Sequence, residues 1–157
     1  MFDNFLISSD SLRNEVRDGE VVGFSMAVRN ANYRGVFLSL HNGYFVEVDG
    51  VHYGRDAQTF ELNGVPPRTF EEIKGAVWEH WDYAVPGILH IAARSGLQPG
   101  EHVIRLQQSV LAAYGYLPTD EEWVKHPPVP GTGAGSDKTP DIVSYRLTLA
   151  EPEEDPR

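Results

Sequence analysis

The residues Arg29-Asn30-Ala31-Asn32-Tyr33-Arg34-Gly35 put two guanidinium groups, two amides and a phenol into one short elbow between strand-like segments. Those groups donate and accept hydrogen bonds and bind anions, but they do not shuttle protons near neutral pH. The chemistry they suit is recognition. Arg29 and Arg34 would anchor a partner or substrate, Asn32 would hydrogen-bond to it, and Tyr33 would contact it at low entropic cost. A structural reading stands beside this one. In it, Asn30 and Asn32 satisfy backbone groups in a bulge, and the arginines pair with surface acids.

The other reactive side chains do not assemble into a catalytic set. Glu79-His80-Asp82 invites a metal reading, but neighbours on a strand point to opposite faces and the i, i+4 spacing of helical ligands is missing. An aromatic cluster around Trp78 and Trp81 with a polar rim explains the same residues. His90 and His102 lie on consecutive expected strands and could meet across a hairpin. Gly131 to Thr139 imitates a phosphate-binding loop, yet its lysine is misplaced and Pro140 blocks the helix that should follow. No serine sits in a Gly-x-Ser-x-Gly elbow. Glu71-Glu72 and Asp120-Glu121-Glu122 suit helix N-termini, and Glu153-Glu154-Asp155 reads as a solvated tail. Neither a catalytic residue nor a metal ligand is assigned on this chain.

Elements that would hold the elbow are legible from period-two alternation. Phe24, Met26 and Val28 share one face of a strand, and Leu89, Ile91 and Ala93 share one face of another. Ile104, Leu106 and Val110 do the same before Val143, Tyr145, Leu147 and Leu149 close the chain. Asp18-Gly19, Asn42-Gly43, Asp49-Gly50 and Asn63-Gly64 read as tight turns. Leu97-Gln98-Pro99-Gly100 reads as the turn joining the strands of His90 and His102, and Pro66-Pro67 as a strand stop. Thr69-Phe70-Glu71-Glu72 matches a capping box and predicts a helix to about Trp78, and Thr119-Asp120-Glu121-Glu122 predicts a second short one. The expected fold is all-β, an antiparallel sandwich of immunoglobulin, fibronectin or jelly-roll type with one or two short helices. It would form one domain over 1–150, with a Pro/Gly-rich loop at 126–141 and an acidic flexible tail at 151–157.

A chain of 157 residues can bury roughly 68–70% of its unfolded surface, so a core needs no staple. It has no cysteine, which excludes thiolate metal sites and thiol nucleophiles. The net charge of −10 argues against nucleic acid as a partner. Ten of the 13 basic residues are arginine, which favours bidentate contacts to carboxylates, although codon bias gives the same excess. No apolar run approaches the roughly 18 residues of a membrane span, and the N-terminus lacks a basic-then-apolar leader. A cytoplasmic location is expected.

Several segments together resemble one known family. They are Met1-Phe2-Asp3, Ser11 to Asn14, Gly23-Phe24, Val28 to Ser39, Val48-Asp49-Gly50, Trp81-Asp82-Tyr83 and Gly96 to His102. The pattern is similar to the small β subunit of bacterial C-glycoside deglycosidases over about residues 1–117 and, more loosely, the closing strand Tyr145 to Leu149. Ala31 to Ser39 is its most specific part. The resemblance implies an accessory subunit of a carbon–carbon lyase that separates a 3-oxo sugar from an aromatic aglycone such as a flavonoid. It implies a larger partner α subunit, a sugar-phosphate-isomerase-like barrel that carries a divalent metal, manganese, and the acid–base residues. The C-glycoside substrate would be shared with that partner, and no cofactor is expected on this chain. The alternative is a stand-alone carbohydrate-binding or immunoglobulin-like interaction module, with Trp78, Trp81 and Trp123 as stacking faces. A cupin-like metal enzyme would need histidine spacing that this sequence lacks.

Overall fold

A computed structural model describes residues 6–31, 35–110 and 142–151 of the chain. The expected second helix after Thr119, the loop at 126–141 and the tail from 152 lie outside the described residues. In chain order the strands are β1 (Arg13–Arg17), β2 (Glu20–Val28), β3 (Val36–Phe37), β4 (His41–Val48), β5 (Val51–Tyr53) and β6 (Gln58–Leu62). There follow β7 (Val65–Thr69), the helix α1 (Phe70–Ile73), β8 (His80–Trp81), β9 (Gly87–Ala92), β10 (Glu101–Val110) and β11 (Val143–Thr148).

The fold is the expected all-β sandwich. One sheet has the order β1-β2-β9-β6-β7, the second β11-β10-β4-β5, and β3 pairs with β8 as a small third sheet. Alternation along each strand decides which residues enter the core. Phe24, Met26 and Val28 face in from β2, Leu89 and Ile91 from β9, and Phe60 and Leu62 from β6. Tyr44, Val46 and Val48 of β4, with Ile104 and Leu106 of β10, meet them in a single cluster. Phe24 and Tyr53 touch edge to face at 5.2 Å across the two sheets.

Three of the turn dipeptides form two-residue hairpins. Asp18-Gly19, Asp49-Gly50 and Asn63-Gly64 all hold both central residues at positive φ, as type I′ turns require. Asn42-Gly43 does not turn the chain. β4 runs straight through it, and Gly43 takes φ 107°. At this point the β4–β10 register shifts between Gln108 and Val110, so the dipeptide is a bulge. The reversal expected there is made earlier, by a 3-10 turn at Leu38–Leu40.

Pro66-Pro67 does not stop a strand either. Both lie within β7, an edge strand, opposite a register shift on β6. An edge at a bulge is where a missing N–H costs no ladder bond. Helix α1 has both halves of its predicted capping box, Thr69 with Glu72, but it ends at Ile73 rather than near Trp78. Finally, β9 and β10 are not a hairpin: they belong to different sheets. The chain arches between them through Ser95-Gly96, both at positive φ.

His41 is a polar side chain set among the rings of this core. It is 1% exposed, and neither ring nitrogen has a hydrogen-bond partner. The rings of Tyr44, Phe60, Trp81 and Phe70 stand 4.7 to 5.1 Å from it. Burial lowers its pKa to about 3, because charge in an aromatic box has nothing to solvate it. The folded pKa therefore lies below the unfolded value, and only the unfolded chain binds the proton between about pH 6.5 and 3. Stability should fall with decreasing pH in that window, by at most about 1.4 kcal/mol per pH unit from this group. Urea melts at pH 6.5 and 4.5 should show that slope, and His41→Leu should lessen it. Equal slopes in the two proteins would show that His41 is not the acid-sensitive group.

Candidate functional site

The elbow begins where β2 ends, and its described part is held from three sides. The backbone N–H of Arg29 donates to the Leu6 carbonyl at 2.7 Å. Buried Asn30 donates through Nδ2 to the Trp81 carbonyl at 3.1 Å. From the opposite sheet, Gln108 of β10 accepts the Ala31 N–H at 2.9 Å and donates to the Arg29 carbonyl at 2.8 Å. Its remaining amide hydrogen goes to the Tyr44 hydroxyl at 3.0 Å. At the far end, Gly35 has φ +76°, and a Cβ there would lie 2.5 Å from His80 Cε1. The elbow thus closes against β8 so tightly that a side chain would not fit.

Among the residues assigned to binding, Arg29 is exposed, whereas Asn32, Tyr33 and Arg34 lie outside the described residues. Asn30 does what the structural reading asked of it, by satisfying a backbone carbonyl. Arg29 opens onto a cavity of about 280 Å³ lined by Ser8, Arg29, Tyr83, Ala84 and Pro86. On the other flank of the elbow, Phe37 stacks edge-on with Trp78 at 5.6 Å and with His80 at 5.5 Å. Trp78 is 64% exposed and Tyr83 39%, while Trp81 between them is fully buried. Trp81 therefore offers no stacking face, and Trp123 lies outside the described residues. Of the three tryptophans named for a sugar-binding module, Trp78 is the one this surface presents.

The titratable groups are held within the chain's own structure. His80 Nδ1 meets Asp82 at 2.6 Å, and Glu79 is paired with Arg68 through two bonds of 2.9 Å. Of the three side chains considered for a metal, Glu79 is thus turned to Arg68, and His80 and Asp82 pair with each other. Among the described residues no three His, Asp or Glu side chains are placed to hold an ion. His90 and His102 do not meet, because their strands belong to different sheets. His90 stands between Glu15 at 2.5 Å and Glu61 at 2.9 Å, bridging β1, β9 and β6. His102 stands between Asp49 at 2.5 Å and the Gln98 carbonyl at 2.6 Å.

Acceptors at both nitrogens favour the imidazolium form of each ring. Burial works against the charge on His90, but the hydrogen bonds and charges of Glu15 and then Glu61 outweigh it and raise the pKa. Burial likewise opposes His102, and Asp49 with the Gln98 carbonyl raises its pKa. The Asp49 carboxyl is lowered, first by the Val103 N–H and then by His102. Raised histidine pKa values stabilise the fold fully below the unfolded value of about 6.5, and that contribution is lost as pH rises through the folded values.

Sequence reasoning missed Gln108 and Gln58. Both were legible in principle. Ile104-x-Leu106-x-Gln108 and Gln58-x-Phe60-x-Leu62 each put an amide on the core face of a strand. A buried amide implies waiting backbone partners. Gln58 accepts the Tyr44 N–H at 3.0 Å and donates to the Tyr44 carbonyl at 2.8 Å, which serves the bulge in β4.

Residues 2–114 match the family model described as C-glycoside deglycosidase beta subunit. The chain is similar to the C-glycoside deglycosidase beta subunit of Eubacterium cellulosolvens (strain ATCC 43171 / JCM 9499 / 6). The two are 31% identical over 134 residues, which cover 85% of this chain and 83% of the relative. The family match takes in the whole elbow and the arch ending at His102, and it stops before the loop at 126–141.

Removing the Gln108 amide tests how far the elbow depends on it. Gln108→Leu would leave the Ala31 N–H and the Arg29 carbonyl buried without partners, at about 1–3 kcal/mol for each orphan. Unfolding should shift accordingly, and amide exchange at Ala31 should accelerate more than exchange in β2. Wild-type protection at Ala31 in the variant would show that the elbow is held by other contacts.

Proposed function

The chain belongs to the C-glycoside deglycosidase beta subunit family, and we propose that it is the accessory subunit of a complex that splits the carbon–carbon bond between a 3-oxo sugar and an aromatic aglycone. Its partner in this reading is a sugar-phosphate-isomerase-like barrel that carries the divalent metal and the acid–base residues. This chain stabilises the barrel and shapes the mouth of its active site. No step of the reaction is routed through a metal on this chain.

The observation that carries the reading is the buried-amide clamp on the elbow. Gln108 ties the backbone of Arg29 and Ala31 to the opposite sheet, so the start of the elbow is held before any partner arrives. Preorganised surfaces lose less entropy on association. Arg29, Asn32, Tyr33 and Arg34 would be the residues offered from it, with Trp78 and Tyr83 alongside. His41 is sealed in the core, and in this reading the acid–base residues are the barrel's.

Mixing the purified chain with a candidate barrel subunit tests this directly. A stable complex should form, and cleavage of a 3-oxo C-glycoside should require both proteins. Two separate monomers, or full cleavage by the barrel alone, would sink the proposal. Titration of the isolated chain with glycosides separates it from a sugar-binding module, which would change tryptophan fluorescence at millimolar ligand. Arg34→Glu should weaken complex formation at least tenfold while leaving the melting temperature of the isolated chain within about 2 °C. A large loss of melting temperature with unchanged association would return the elbow to a folding role.

A further inference from the structure

The cavity at the foot of the elbow has a shape and charge that narrow what can occupy it. We propose that the pocket of Ser8, Arg29, Tyr83, Ala84 and Pro86 receives a single aspartate or glutamate side chain of the partner subunit. This rests on the subunit reading above and adds the chemistry of the contact.

Size comes first. Pockets that take small molecules run from about 300 to 1,000 Å³ and enclose most of the ligand. At about 280 Å³ this one lies at the bottom of that range, too small to enclose a sugar together with an aromatic aglycone. One protruding carboxylate side chain enters it and leaves room for ordered water beside the contact.

Charge comes second. Arg55, Arg68, Arg105 and Arg146 each meet a glutamate of this chain at 2.7 to 3.2 Å, while Arg29 opens onto the pocket. A guanidinium is a planar fork that matches a carboxylate through two hydrogen bonds. The chain as a whole carries −10, so a broadly acidic partner face would be repelled. One carboxylate delivered to one local cation is compatible with that charge, and an acidic patch is not.

Rigidity comes third. The backbone of Arg29 is fixed on both sides, by the Leu6 carbonyl at 2.7 Å and by Gln108 Nε2 at 2.8 Å. The pocket wall is equally set, because Val28 pairs with Gly87 next to Pro86, and the Val85 carbonyl accepts the Trp81 indole N–H at 2.7 Å. Tyr83 and Pro86 add low-entropy walls beside the ion pair.

The test is calorimetric titration of the barrel subunit with this chain at low and moderate salt. Arg29→Met should weaken binding at least tenfold, Arg29→Glu by a further tenfold, and Arg29→Lys should fall between Met and wild type. Arg94→Met, an exposed arginine beyond the other end of β9, should stay within about twofold. Thermal melts of each variant should match wild type, which separates lost contact from lost fold. An aspartate or glutamate of the barrel changed to arginine should restore binding to Arg29→Glu. If the wild-type chain binds the barrel and Arg29→Met binds equally well, the pocket holds no carboxylate and only this inference falls. Failure of the wild-type chain to bind the barrel at all would remove the subunit reading and this inference with it.

Discussion

The buried amide of Gln108 is the constraint on which the rest of the structure depends. It lies in the core row of β10 after Ile104 and Leu106, opposite Tyr44, at a position where an apolar side chain would be ordinary. Both of its amide hydrogens and its oxygen are used, on Arg29, Tyr44 and Ala31. Burial keeps the Tyr44 phenol neutral, with its pKa well above the usual value. A fully satisfied polar group in a core adds little net stability, about 1 kcal/mol per bond, but one left unsatisfied costs more. The amide therefore acts mainly on specificity. A slip of one residue between β10 and β4 would turn Gln108 outward and bring Arg105 into the core. The same bonds that fix this register fix the elbow.

Gln58 mirrors that arrangement from the other sheet. Its amide holds both backbone groups of Tyr44 beside the bulge at Asn42-Gly43, so each sheet sends one glutamine across to a backbone irregularity in or beside the other. Between them lies His41, which makes the opposite use of a polar side chain, neutral and unpaired among rings. His90 and His102, of the same residue type, are shifted toward the charged form because each nitrogen finds an acceptor. Surroundings set the direction of all three shifts. His41 favours the fold as pH rises from about 3 to 6.5, whereas His90 and His102 favour it until pH passes their raised values. The three contributions overlap best near the ordinary histidine value of about 6.5.

Local conformational preference was readable in the sequence to the extent that pairing left no choice. Asp18-Gly19, Asp49-Gly50 and Asn63-Gly64 each join strands that are neighbours in one sheet, and all three are hairpin turns. Asn42-Gly43 has the same preference for positive φ and uses it to bulge, because β10, far away in sequence, continues the ladder past it. The arch after β9 fails for a related reason. Leu89, Ile91, Ile104 and Leu106 alternate identically whether their strands are neighbours in one sheet or face each other across two. Turn residues report that the chain reverses, not which sheet it enters. Of the candidate site, Arg29 and the structural role of Asn30 were legible from residue type. Gln108 was hidden because an amide in a strand is usually read as surface, and its partners are some 80 residues away.

The placement of the elbow follows from these same constraints. A polar loop on the sheet edges would need no clamp, since water would satisfy it. Here the backbone of Arg29 and Ala31 after β2 faces the core and must be met by protein, and Gln108 meets it. The Asn30 side chain in turn satisfies the Trp81 carbonyl, and Gly35 packs against β8 with no room for a Cβ. Beside the elbow the surface presents Arg29, Trp78 and Tyr83, a cation and two exposed aromatic rings on an acidic protein. Holding such groups in place in the free chain is useful when something else is to meet them, because the ordering cost has already been met by folding.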